Sequence, residues 1–211
     1  MQTIALAGRK RGAGKTMLAV ELAVCAENAL VLDLDPHRRA TLWAAKRTVA
    51  EPPVQAADVE VLDEALAWAR EQRYRWVFVD TSAQARPEII RTAMAAADLA
   101  LIPTRSGSAD LGVLGEMVRM VQAAGCASAM VLNACMPLGS GIRGQLLRQA
   151  FTEARRYGLP VSPTVIAERS AFPEAFEAGR TVMETDPEGR PAGDIQALWH
   201  WLTEESQVLA A

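Results

Sequence analysis

Short, wholly apolar runs alternate along the chain with longer stretches in which apolar residues recur at helical spacing. Thr3–Ala7, Ala29–Leu34, Trp76–Val79, Leu99–Ile102 and Met130–Leu132 read as buried strands, because a strand covered on both faces needs no polar alternation. Between them, Lys15–Ala26 predicts a helix with Leu18, Leu22 and Val24 among its apolar positions, and Asp63–Glu71, Pro87–Ala96 and Gly144–Arg156 predict others. Asp110 reads as the N-cap of a helix running to about Ala124. Glu51-Pro52-Pro53 breaks the chain ahead of a short strand predicted over Val59–Leu62. Leu159–Ile166 predicts an edge strand, because Pro160 and Pro163 lack the N–H that a central position requires. The alternation as a whole predicts an α/β fold, a doubly wound, mostly parallel sheet flanked by helices, with ligands at the carboxyl ends of the strands. No repeat, low-complexity tract or linker interrupts it, so a single domain over residues 1–211 is expected.

Composition narrows the class without changing it. Half of the residues are hydrophobic, 22% are charged and the formal net charge is −3, which suits a soluble domain with a full core. That balance gives no global basic field, so any contact with DNA must come from a local patch. Cys25, Cys126 and Cys135 form no C-x-x-C pair, and His37 and His200 stand apart. Neither a disulfide framework nor a histidine metal site is expected. No apolar span of membrane length and no leader pattern is legible, which points to the cytoplasm.

The chemistry concentrates in residues 9 to 16, Arg-Lys-Arg-Gly-Ala-Gly-Lys-Thr, directly after the first strand. A strand, a Gly-containing loop and a helix opening on Gly-Lys-Thr form the phosphate cradle of P-loop nucleotidases, where backbone N–H groups surround phosphate oxygens. Lys15 is placed to neutralise β- and γ-phosphate charge, and the Thr16 hydroxyl to ligate Mg²⁺. Arg9 stands where the strict pattern has Gly. The expected cofactor-binding segment runs through Lys10, Arg11, Gly12, Ala13, Gly14, Lys15, Thr16 and Met17. Four apolar residues from Trp76 end in Asp80, which suits a carboxylate that holds Mg²⁺ through a water or via Thr16, and Thr81 to Gln84 follow as the loop that senses the γ-phosphate. Asp33 and Asp35, two apart at another strand end, share one side of the sheet before Pro36 stops the strand. Two carboxylates so close repel unless a cation compensates.

Lys10, Gly12, Gly14, Lys15 and Thr16 resemble the deviant phosphate loop of the ParA/MinD family, closest to small ParA-type partition ATPases. Ala97–Pro103, Ile166–Arg169 and Ala171–Gly179 extend the likeness to about residue 185. The resemblance implies a P-loop NTPase fold and a Mg²⁺- and ATP-dependent homodimerisation switch with slow hydrolysis to ADP. Such switches distribute plasmids, chromosomes or protein cargo over the nucleoid, with a ParB-like or other adaptor that stimulates the ATPase. It also implies roles. Lys10 reaches the partner subunit's phosphates, Lys15 acts in cis, Asp35 orients the attacking water, and Asp33, Thr16 and Asp80 surround the metal. Asn133 points toward adenine, and the following Ala134-Cys135-Met136 lacks a guanine-reading motif, so ATP is favoured over GTP. Arg11 departs from the family, which has Gly there. An Arg at that place either strains the loop and hinders close approach or adds positive charge near the phosphates or the dimer face.

Arg143, Arg148, Arg155 and Arg156 against Glu153 form the best basic patch, a candidate for nonspecific DNA contact. Residues 194–205 carry Trp199 and Trp201 but no Lys or Arg, which suits a core cap and disfavours a membrane-surface helix. Two other classes stay open: a non-catalytic nucleotide-gated scaffold, motivated by Arg11, and a P-loop metabolic or metallocluster enzyme. Cys126 and Cys135 are poorly spaced for the cluster.

Overall fold

The apolar runs assemble into one sheet whose centre is the first strand. In the computed structural model, which describes residues 1–107, 114–136 and 142–209, the strands are β1 (Gln2–Leu6), β2 (Ala29–Asp33), β3 (Val54–Ala56), β4 (Trp76–Asp80), β5 (Leu99–Thr104), β6 (Ala127–Cys135) and β7 (Val161–Ala167). They lie in the order β3-β2-β4-β1-β5-β6-β7, and every pairing is parallel. The expected mostly parallel sheet is thus wholly parallel. Proline-bearing β7 closes one edge, where Pro163 is exposed.

Period two sorts the side chains of each strand onto the two faces. Ile4, Leu6, Phe78, Leu99 and Leu101 pack beneath α1 (Lys15–Cys25) and α9 (Arg190–Leu209). On the other face Ala7, Ala100 and Ile102 meet α4 (Pro87–Ala95) and α5 (Leu114–Ala124), and Val77 and Val79 meet α3 (Leu62–Glu71). The remaining helices are α2 (Arg39–Ala44), α6 (Ile142–Arg156), α7 (Ala171–Glu177) and α8 (Val182–Thr185). In α9, Ile195, Leu198 and Leu202 are fully buried, and Trp199 meets Trp76 edge-on at 4.6 Å. Trp201 packs on the same cluster, so both indoles cap the core as expected. Among the described residues no helix is long and apolar enough to cross a membrane.

The strand predicted over Val59–Leu62 is not one. Val59–Val61 form a 3₁₀ turn leading into α3, and the edge strand is β3, directly after the two prolines. The Pro53 carbonyl accepts the Val31 N–H at 3.0 Å, so the chain joins β2 at once. Proline needs no donor at an edge, and Leu62 still buries its side chain by turning under the sheet. The N-cap expected at Asp110 lies outside the described residues.

One buried acid makes the scaffold pH-sensitive. Glu21 of α1 is nearly inaccessible and accepts the Val182 N–H at 3.1 and 3.2 Å, tying α1 to the start of α8. Burial pushes its pKa from 4.5 up to about 8, with the Val182 N–H opposing and Glu184 adding to the rise. Between those values the folded chain holds a proton that the unfolded chain releases. Stability therefore falls as pH rises through that window, by up to about 1.4 kcal/mol per pH unit. Glu21→Gln keeps an acceptor for Val182 and removes the titration. Urea melts from pH 5.5 to 8.5 should lose this slope in the variant, leaving it more stable than wild type at the alkaline end. An identical slope in both proteins would assign the pH dependence to other groups.

Candidate functional site

At the carboxyl ends of the central strands lies a cavity of about 370 Å³. Its floor is the loop from Ala7 to Gly14 between β1 and α1. The loop's left-handed residues are Gly12 (φ 71°) and Gly14 (φ 86°). Gly14 is required twice over, because a Cβ there would sit 2.1 Å from the Asn133 amide nitrogen. Arg11 has no positive φ, so the strain anticipated for it is absent. Gly12 takes the left-handed turn instead, with open space where its Cβ would be.

Lys15 is only 7% exposed, and its ammonium donates to the Lys10 carbonyl at 3.3 Å across the loop. Burial lowers its pKa, while the Asp80 and Asp35 carboxylates raise it. Lys10 is half-exposed and contributes its carbonyl, not its ammonium, to this contact. Arg9 reaches away from the cavity, donating to the Ala85 carbonyl at 3.2 Å and lying 3.3 Å from the Glu116 carboxylate. It thereby fastens the phosphate loop to the loop after β4 and to α5. Nothing in the local sequence signalled these two ties, since both partners are remote in the chain.

The three strand-end acids have different surroundings. Asp33 is fully committed: one oxygen accepts the Asp35 N–H at 3.1 Å, and the other accepts the Thr41 N–H and hydroxyl at 2.9 and 2.8 Å. It therefore organises the first turn of α2. Asp35 faces the cavity at 2% exposure, with one oxygen accepting the His37 N–H at 3.0 Å and the other 3.5 Å from Arg39 Nε. Asp80 is completely buried, and neither of its oxygens has a hydrogen-bond partner among the described residues. Burial pushes its pKa up to about 7, the neighbouring Thr16 side chain and the Lys15 ammonium pull it down without a formed hydrogen bond, and Asp33 and Asp35 push it further up. Two unengaged oxygens this deeply buried are costly without a cation.

The cavity's far wall is built by segments the sequence tied to the site only through resemblance. Phe172, Pro173 and Phe176 of α7 line it together with Met17 and Ala134. Arg105 and Glu168 pair at 3.2 Å on the same wall. Trp43 of α2 stacks on Phe176 at 6.3 Å and donates its indole N–H to the Arg180 carbonyl at 3.1 Å. The segment after Asp35 is thus joined to the aromatic wall. Asn133 is buried between the two ends of the cavity. Its amide nitrogen donates to the Ala13 carbonyl at 2.7 Å, so that group clamps the phosphate loop, while its Oδ1 is buried without a partner among the described residues. The basic patch is elsewhere. Arg148, Arg155 and Arg156 are exposed on α6, with Arg156 2.9 Å from Glu153; the Arg143 side chain lies outside the described residues.

The arrangement suits a magnesium polyphosphate. Asp80 and the Thr16 hydroxyl offer hard oxygen donors beside a buried ammonium, and the glycine loop leaves room for phosphate. No group of three or more His, Cys, Asp or Glu suited to a metal occurs among the described residues. Phosphate oxygens and water must therefore complete any coordination shell.

Comparison with known proteins identifies the family to which this fold belongs. The family model of the CobQ/CobB/MinD/ParA nucleotide binding domain matches residues 4–182. The chain is 27% identical over 203 residues to the Maintenance of carboxysome distribution protein A of Halothiobacillus neapolitanus, covering 91% of each chain. It is 28% identical over 213 residues to the protein of the same name from Gloeobacter kilaueensis, covering 97% of this chain and 93% of that one. Its fold matches the ATP complex of a McdA variant from Cyanothece with a TM-score of 0.71 at 17% identity, over 97% of this chain and 95% of that one.

Proposed function

Because the chain belongs to the CobQ/CobB/MinD/ParA nucleotide-binding domain family, we propose that it is a Mg²⁺-dependent ATPase that dimerises on ATP and uses slow hydrolysis to position a cargo. The observation that carries this reading is Asp80, completely buried with two unengaged oxygens at the end of β4, beside the Lys15 ammonium. That pairing of open carboxylate and buried cation is what a metal-bound polyphosphate requires.

In this reading Lys15 and the loop N–H groups hold the β- and γ-phosphates, and Phe172, Pro173 and Phe176 bracket the base. Asn133 keeps the loop in register through Ala13, and its free Oδ1 is an acceptor suited to an adenine amino group. Thr16 and Asp80 would hold the ion, whose positive charge would offset the negative charge of the phosphate oxygens, while Asp33 acts through Thr41 and the Asp35 backbone. Asp35 orients the attacking water. The names of the two curated relatives favour a large protein body as cargo over a plasmid. An adaptor presented by that body would stimulate hydrolysis, and the exposed α6 arginines give a nonspecific DNA track its contact surface.

The experiment that tests this reading is ATP-dependent dimerisation. Lys10 supplies only its carbonyl to the contact with Lys15, so Lys10→Ala leaves that contact in place and deletes only the side chain. The variant should bind nucleotide like wild type yet fail to dimerise, because a charge pair desolvated between subunits couples strongly. Light scattering with a nonhydrolysable ATP analogue reads the difference. Equal dimerisation of both proteins would end the trans role of Lys10, and a wild type that stays monomeric would end the switch itself.

A further inference from the structure

Charge pairing along the cavity wall singles out one residue. Arg39 faces Asp35 at 3.5 Å, Arg105 faces Glu168 at 3.2 Å, and Arg169 faces Asp194 at 3.8 Å. Lys15 is buried with its ammonium on the Lys10 carbonyl. Arg11 lines the same cavity, is exposed, and makes no hydrogen bond or ion pair with any described residue. It is the cation on that wall, among the described residues, whose charge the protein leaves uncompensated.

An exposed arginine on an ordinary loop is merely solvated. This one sits within the phosphate loop, where its backbone is relaxed because Gly12 takes the left-handed turn. Arg9, two residues earlier, is fastened to Ala85. That tie sets this arm of the loop beside Ser82–Gln84, which line the cavity together with Asp35. Arg11 thus lines the same cavity as Lys15, Asp35 and Ser82–Gln84. A guanidinium left free on this lining presents a planar fork suited to phosphate oxygens.

We propose that Arg11 is a specificity-determining residue that engages the terminal phosphate and makes the site prefer a nucleoside triphosphate to the diphosphate. The inference rests on the nucleotide-binding reading above and adds to it a function for the residue that departs from the family pattern. Because Arg11 is exposed and unstrained, its replacement leaves the loop geometry intact.

The test is calorimetric titration of wild type, Arg11→Ala and Arg11→Lys with a nonhydrolysable ATP analogue and with ADP, both with Mg²⁺, at two salt concentrations. Arg11→Ala should lose about tenfold or more in triphosphate affinity, the size of a charge-assisted hydrogen bond, while ADP affinity changes by less than about twofold. Arg11→Lys should recover part of the loss, since it restores charge without the fork. Wild-type triphosphate binding should also weaken more steeply with salt than that of Arg11→Ala. An unchanged ratio of the two affinities, an equal loss for both nucleotides, or tighter triphosphate binding in Arg11→Ala would each overturn the proposal. A wild type that binds neither nucleotide would instead remove the nucleotide site, and this inference with it.

Discussion

Lys15→Ala is expected to weaken Mg²⁺-ATP binding by more than about a hundredfold, beyond calorimetric detection, while the chain stays folded. The two halves of that expectation have one cause. Lys15 is buried to 7% exposure, and burial works against its charge, which the nearby Asp80 and Asp35 carboxylates only partly support. An ammonium kept in such a place is of little use to the fold, because desolvating a charge costs several kcal/mol before any partner returns it. Its one hydrogen bond within the chain is to the Lys10 carbonyl, and alanine is a better helix former at the first position of α1. The nucleotide-free variant should therefore melt at or above the wild-type temperature. Asp80 counters this in part, since losing Lys15 removes one influence that lowers its pKa; the effect should appear as a higher midpoint for Asp80 protonation. A variant that binds Mg²⁺-ATP as wild type does would remove Lys15 from the phosphate site. One that unfolds would make it a structural residue.

How much of this could be read from the chain depends on whether the determinant was local. The glycine-containing octet, the apolar strand ahead of it and the acids at Asp33, Asp35 and Asp80 are each fixed within a few residues, and the sheet puts all of them at one rim. Local pattern misled at Val59–Leu62, where an apolar run that looks like a strand buries Leu62 by turning into a helix. It also gave Asp33 and Asp35 similar standing. Only the fold brings both the Thr41 N–H and its hydroxyl onto one Asp33 oxygen and leaves Asp35 on the cavity. Arg9 to Glu116, Glu21 to Val182 and Trp43 to Phe176 each join residues more than 100 apart in the chain. No periodicity carries such information, because these contacts are products of topology. Arg11 is the converse case. Its departure from the family pattern was plain in the sequence, but its lack of strain depended on which neighbour took the positive φ.

That same division between Asp33 and Asp35 sets the last expected result. Asp35→Asn should bind Mg²⁺-ATP and dimerise, yet hydrolyse ATP about 10²–10⁴-fold more slowly, the usual contribution of a base or water-positioning group. The asparagine keeps an oxygen to accept the His37 N–H, now made at 3.0 Å, so the turn after β2 is preserved. What it loses is the second anionic oxygen, the one 3.5 Å from Arg39 Nε on the cavity side. Asp35→Ala should match it in rate but also melt lower, because the His37 N–H then lacks its acceptor. Asp33→Asn behaves differently in kind. Its carboxylate accepts three hydrogen bonds from Asp35 and Thr41, and an amide in its place sets a donor against the Thr41 N–H or the Asp35 N–H. That variant should lose stability and nucleotide affinity together, whereas Asp35→Asn separates binding from turnover. Phosphate release measured beside nucleotide affinity and melting temperature distinguishes the two patterns. Wild-type turnover in Asp35→Asn would leave Asp35 as a structural turn residue and require a different group to orient the water, with the adjacent Thr81–Gln84 loop the next place to look.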